Sequence, residues 1–129
     1  MLKNLFLVFI GGGLGSILRY VVHYVISKKT ITDFPVSTLL VNILGSFLIG
    51  FIYALSAKSA ISDDTRLFMA IGICGGFTTF SSFSFDSIQL LRNGQVFMFG
   101  GYVLLSISLC IVFVLLGDLI GKSFISTNT

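Results

Sequence analysis

Residues 73–86 read I-C-G-G-F-T-T-F-S-S-F-S-F-D, inside a hydrophobic segment long enough to cross a bilayer. The stretch carries a Gly pair, five hydroxyl residues, Phe at every third position from Phe77 to Phe83, and a carboxylate. A helix surrounded by lipid has no use for such content. At membrane depth the backbone can be interrupted only where protein or a water-filled cavity covers the freed N–H and C=O groups. Gly75-Gly76 followed by Thr78-Thr79 therefore predicts a broken span that faces inward, toward a pathway or a partner.

The rest of the chain is membrane-like as well. Hydrophobic residues make up 55% of it and charged residues 10%, with a mean hydropathy of +1.04, whereas soluble domains carry roughly a quarter charged residues. At about 20 apolar residues per span, 129 residues allow four spans in one domain. Expected spans are about 5–26, 34–57, 67–91 and 96–121, with no room for a soluble catalytic domain. Cys74 and Cys110 both fall within apolar segments, which argues against a disulfide framework and for reduced packing residues. One His, at position 23, leaves no transition-metal cluster. The first apolar run follows Lys3 as a signal peptide would, yet it lacks an A-x-A cleavage pattern and is expected to remain as a span.

Along the first span, Gly11 and Gly15 stand four apart, the spacing that lets membrane helices approach closely. Arg19 lies well inside the same span, where a guanidinium costs about 2.5 to 3.5 kcal/mol on insertion scales. It must snorkel, pair or face water, and the residues alone leave open whether it attracts anions in a vestibule or serves as a structural partner. A short polar linker over 27–33 leads to Pro35, placed where a helix begins. In the second span Thr38, Asn42, Ser46 and Gly50 recur every four residues and form one small, polar stripe. Such a stripe is often a helix contact, but an amide at bilayer depth must hydrogen-bond, and the NH₂ of Asn42 offers two donors. On the fourth span Tyr102, Ser106 and Cys110 lie four apart, with Ser108 on a different face. The polar tail from Ser123 is expected to fray.

Three blocks identify a resemblance. G-G-G-L-G-S-I-L-R at 11–19, S-T-L-L-V-N-I-L-G at 37–45 and G-G-F-T-T-F-S-S-F-S at 75–84, in this order in a chain of this length, resemble the Fluc/CrcB fluoride ion channel family of microbial membranes. The resemblance implies an all-α membrane protein of four transmembrane helices, the third broken near its middle, assembled as an antiparallel, dual-topology homodimer in the cell membrane. One count agrees independently. Four spans place Lys3, Lys58, Arg66 and Lys122 on one side and Lys28, Lys29 and Arg92, with Arg19 if it reaches the surface, on the other. The Lys/Arg excess in short loops sets orientation, and four against three or four leaves almost none. Four short helices are also too few to enclose a pore alone, and insertion both ways suits a two-fold dimer.

Fluoride holds its water tightly, and taking even a carboxylate-sized ion into low dielectric has an idealised cost on the order of 20 kcal/mol. A series of donors along a preformed path can offset this where one donor cannot. Phe80 and Phe83 share a helix face, and ring edges are the positive part of an aromatic quadrupole. Hydroxyls of Thr79, Ser81, Ser82 and Ser84, with Asn42 and with Ser108 or Cys110, are the expected continuation, each charge-assisted bond being worth roughly 1.5 to 3 kcal/mol. Without the family, the Phe/Ser alternation reads more readily as a helix interface, and the resemblance reverses that weighting. The resemblance assigns Asn42, Phe80 and Phe83 to anion contact, Tyr102 to the pore lining and Arg19 to an L-R-aromatic motif, and Thr38, from the polar stripe of the second span, is counted with the expected pathway together with Arg19. It further implies a structural Na⁺ held by backbone carbonyls of Gly75 and Thr78 from both subunits. Two departures stand out: the family motif commonly reads T-T-F-S-T-F-S followed by Glu, and here Ser82 replaces a Thr and Asp86 the Glu. Cys110 aligns loosely with a Ser of relatives.

The chief rival is a small dual-topology, proton-coupled multidrug-type transporter. Such transporters need a carboxylate in the first span, where this chain offers Arg19. Catalysis is disfavoured because no nucleophile, base and orienting group occur together.

Overall fold

The protein is described by a computed structural model covering residues 1–29 and 32–127. The linker expected over 27–33 and the tail beyond 123 lie partly outside these residues, at 30–31 and 128–129. Helices are α1 (Leu2–Ser27), α2 (Val36–Ala57), α3 (Asp63–Arg66), α4 (Gly75–Phe77), α5 (Phe80–Arg92) and α6 (Val96–Thr127), with a π-helical segment, Leu67–Cys74, between α3 and α4. Four units are long and apolar enough to cross a membrane: α1, α2, the composite Asp63–Arg92, and α6.

Local chemistry sets the ends of these elements. Ser62 caps α3 by accepting from the Thr65 N–H at 3.1 Å, and Asp63 and Asp64 in its first turn suit the positive end of the helix. At the end of α5, Gly94 adopts φ +73. The Gln95 and Gly94 amides then reach back to the carbonyls of Leu90 and Leu91 at 2.9 and 3.0 Å. This pattern satisfies the last carbonyls and needs a residue without a Cβ at the turn. The helix α6 continues through Ser123 to Thr127, so the frayed tail expected there is helical up to that point. Phe124 meets the ring of Phe51 edge-on at 6.4 Å between centroids.

Packing follows glycine. A Cβ on Gly15 would sit 2.2 Å from the Ile73 carbonyl oxygen, and one on Gly76 would sit 2.2 Å from that of Gly12. The α1 backbone therefore lies directly against the first half of the third span, running parallel to it. The second pair, α2 and α6, meets the same way, with Gly50 against Val114 and Gly117 against Phe47, each at 2.1 Å. Small residues allow the close backbone approach that gives membrane helices their dispersion contacts. Ile52, Ala70 and Cys74 join the two pairs in a small buried cluster. Most other large apolar side chains, including Phe9, Ile17, Leu104 and Leu115, point outward, as lipid requires.

Gly15→Val is expected to destabilise the protein by about 1–3 kcal/mol or more, because backbone rather than a movable side chain occupies the space. Gly13→Ala, where a Cβ meets nothing within 4 Å, should instead be neutral or stabilise by up to about 1 kcal/mol. Thermal unfolding in detergent, followed by size-exclusion homogeneity, checks both.

Candidate functional site

The third span stops being helical at Thr78 and Thr79, whose backbones are extended at φ −78, ψ 156 and φ −153, ψ 111. In an unbroken helix the Thr79 N–H would bond the Gly75 carbonyl. Here it bonds Asn42 Oδ1 at 2.8 Å, while Asn42 Nδ2 donates to the Thr79 carbonyl at 3.1 Å. One side-chain amide thus takes both backbone polar groups of one residue, Thr79, at bilayer depth. The sequence predicts two free N–H donors on Asn42, and the geometry leaves one. On the next turn Thr79 Oγ1 caps α5, accepting from the Ser82 N–H at 3.1 Å, and exchanges hydroxyl contacts with Ser81 at 3.1 Å and Ser82 at 3.0 Å. On the preceding turn the Thr78 amide and hydroxyl both close on the Cys74 carbonyl, at 2.9 and 2.8 Å.

Beside the break lies an open groove of ≈ 340 Å³. Its walls are Asn42, Gly45, Ser46 and Ile49 from α2, Thr78, Thr79, Phe80 and Phe83 from the third span, and Ser106, Ile107 and Cys110 from α6. Phe80 and Phe83 stand 5.4 Å apart between ring centroids, and Phe83 stands 5.3 Å from Tyr102. Phe80 is 78% exposed on the open side. A second cavity of ≈ 350 Å³ opens toward the α1–α2 linker and is lined by polar groups including His23, Asp33, Thr38, Asp86 and Asn93. In the wall of this second cavity Thr38 Oγ1 donates to Asp86 Oδ2 at 2.6 Å.

Of the expected residues, Asn42, Thr78, Thr79, Phe80, Phe83 and Cys110 share the groove. Thr38 lines the neighbouring cavity, and Tyr102 is fully buried behind Phe83. Ser81 and Ser82 lie around the Thr79 cap. Ser84 bonds its hydroxyl to the Phe80 carbonyl at 3.0 Å within its own helix. Ser108 is exposed on another face of α6, and Ser106 takes the groove position instead, 6% exposed and with no hydrogen-bond partner for its hydroxyl among the described residues. The four-residue spacing of Tyr102, Ser106 and Cys110 carried that signal. Arg19 is half-buried in α1 and lines neither cavity.

The break also suits a hard cation. With the Thr79 amide turned to Asn42, the Gly75 carbonyl loses its helical partner, and a Cβ at Gly75 would meet nothing within 4 Å. Thr78, extended, carries its carbonyl outside both flanking helices. Uncharged oxygen donors freed from a helix end are the ligand type Na⁺ takes.

Four spans with a broken third, and neutral donors gathered in a groove beside the break, define a small multi-span membrane protein. Residues 6–118 match the family described as "CrcB-like protein, Camphor Resistance (CrcB)", and the chain belongs to that family. It is 48% identical over 116 residues to the "Fluoride-specific ion channel FluC" of Phocaeicola vulgatus, covering 90% of this chain and 96% of the relative. The protein of the same name from Bacteroides fragilis is 42% identical over 126 residues, covering 95% and 99%. That of Thermus thermophilus is 48% identical over 95 residues, covering 74% and 76%.

Replacing Asn42 by Ala leaves the Thr79 N–H and C=O without their partners, and each unmet buried group costs about 1–3 kcal/mol. A clearly lowered melting temperature in detergent is expected. Ser16→Ala, which removes only a long 3.5 Å contact to the Gly76 carbonyl, should stay within about 0.5 kcal/mol of the parent.

Proposed function

We propose that this chain is a passive, fluoride-selective channel of the cell membrane that works as an antiparallel homodimer. The observation that carries the reading is the Asn42-pinned break, which gathers neutral donors beside Phe80 and Phe83 in one groove. The name of the relatives points to the same ion.

The groove supplies what a small, strongly hydrated anion needs. Asn42 keeps one N–H beyond its bond to the Thr79 carbonyl, Ser46 adds a hydroxyl, and ring edges of Phe80 and Phe83 add weak positive potential. Thr79, with Ser81 and Ser82 around it, can reorient hydroxyl protons within one small network. No Lys or Arg lines the groove, so the ion is held weakly enough to leave. Toward the second cavity the path passes Thr38, Asp86 and the layer containing Tyr102. Arg19 raises anion concentration near the membrane surface.

The groove is open on the side where Phe80 protrudes. Water or lipid there would spoil a selective path, so a second wall is needed. A copy inserted the other way supplies it, in keeping with the even split of flanking charges. The carbonyls freed at Gly75 and Thr78 would hold Na⁺ between the copies, where it would supply a fixed positive charge that ties the two broken spans together. HF crosses membranes unaided and dissociates in a less acidic cytoplasm. A leak for the trapped anion, driven outward by the membrane potential, then lowers internal fluoride.

In proteoliposomes the protein is expected to release fluoride and retain chloride, with no fixed proton stoichiometry. Asn42→Ala and Phe83→Leu should each slow fluoride by about tenfold or more, the equivalent of one charge-assisted contact. Equal chloride release contradicts selectivity, and stoichiometric proton movement contradicts a channel. Reporters fused to the C-terminus should reveal both orientations, and a single orientation contradicts the antiparallel dimer.

A further inference from the structure

We propose that the outer face of α1, near its C-terminal end, binds an anionic phospholipid, with the phosphate held by Lys28 and Lys29 and an acyl chain lying along the helix below.

The basic residues at the two ends of the protein stand in different company. On the side of the N-terminus Lys3 pairs with Asp64, Arg66 with Asp63 at 3.2 Å and Lys122 with Asp118, which leaves Lys58 without a carboxylate partner among the described residues. On the opposite side Lys28, Lys29 and Arg92 are all exposed, and none has a carboxylate partner among the described residues. Asp33 on that side accepts instead from Gln95 Nε2 at 2.6 Å, and Asp86 accepts from Thr38. Two neighbouring ammonium groups at the end of α1 are therefore available to an external anion.

Lys28 is also held in position. Its Nζ lies 4.3 Å from the centroid of the Tyr24 ring, a cation–π contact, and Tyr24 stacks on Tyr20 at 6.3 Å and 23°. Ile10, Ile17, Tyr20, Tyr24 and Lys28 follow the helical repeat along one face. All five are exposed, and between the two Ile residues Gly13 leaves open space. From Leu5 to Tyr24 a helix rises about 30 Å, the thickness of the hydrocarbon core. Tyr24 then stands at the edge of that core, and Lys28, one turn further, at headgroup depth. The stripe reads ammonium, phenol pair, aliphatic bed, which matches the order of phosphate, glycerol and acyl chain in a phospholipid.

Charge and shape choose the occupant. A phosphodiester with no cation of its own complements the two lysines, whereas a choline head brings a positive charge against them, and the Tyr24 face that could receive it is taken by Lys28. Both lysines are solvent-exposed, so a free phosphate ion gains little by leaving water for them. The chain bed on Ile10 and Ile17 supplies what the ion lacks.

The experiment uses the full chain in detergent, given equal amounts of phosphatidylglycerol and phosphatidylcholine, with retained lipid and subunit number read by native mass spectrometry. Phosphatidylglycerol is expected to be retained over phosphatidylcholine by roughly tenfold or more, as two lysines near a membrane surface supply. The double variant Lys28→Gln, Lys29→Gln should lose that preference, while Lys28→Arg, Lys29→Arg and, on the opposite side, Lys58→Gln should keep it. Excess inorganic phosphate should leave the lipid in place. Equal retention of the two lipids by the parent chain overturns the proposal whether or not the variants fold. An unchanged preference in the glutamine variant, or displacement by inorganic phosphate, overturns it too. Loss of a subunit rather than of lipid in the glutamine variant would assign the face to a second copy, with the same consequence.

Discussion

The exchange of two hydrogen bonds between the Asn42 side chain and the backbone N–H and C=O of Thr79 is the constraint on which the other features depend. In a membrane, an interrupted helix releases polar groups that have no water to turn to. Asn is well suited to meet this, since its one planar amide presents a donor and an acceptor side by side. Because the bond comes from α2, the break is fixed relative to a neighbouring helix. The register of Thr79, Phe80 and Phe83 against α2 and α6 follows from it.

Glycine sets the distances within which that bond operates. The α1 backbone lies against the first half of the third span and α2 against α6 at contacts too close for any Cβ. These two parallel pairs leave the second half of the third span, α5, resting mainly on α6 and free to flank a groove. The groove has three walls from one chain. Its open side carries Phe80 and its wall includes Thr78, so the proposed ion path, cation site and subunit contact would converge on one short stretch. A second copy inserted in the opposite sense would complete all three at once.

Much of this arrangement is legible in the sequence, for identifiable reasons. Four spans follow from hydropathy alone, and the break is marked because Gly75-Gly76 and Thr78-Thr79 have no place in a lipid-facing helix. The close approach of α1 is marked by Gly11 and Gly15. The π-helical segment is unmarked, since L-F-M-A-I-G-I-C is uniformly apolar and its widened turns lie where the backbones of Gly11 and Gly72 meet. Hydroxyl counts also mislead. Ser84 bonds back to its own helix, which composition cannot reveal, while Ser106 rather than Ser108 reaches the groove, as the four-residue period with Tyr102 and Cys110 requires. The substitution of Asp86 for a longer acid acquires a physical setting in its bond from Thr38, which sequence pattern alone does not supply.

The central claim is that neutral donors and ring edges, held by a pinned break, replace the water around a very small halide and pass it without coupling. The reversal potential of the current in a planar bilayer, with fluoride on one side and chloride on the other, tests this most directly. The account predicts a potential that follows the fluoride gradient and is unmoved by an added proton gradient. A potential that follows chloride, or that shifts with pH difference at constant fluoride, would contradict it.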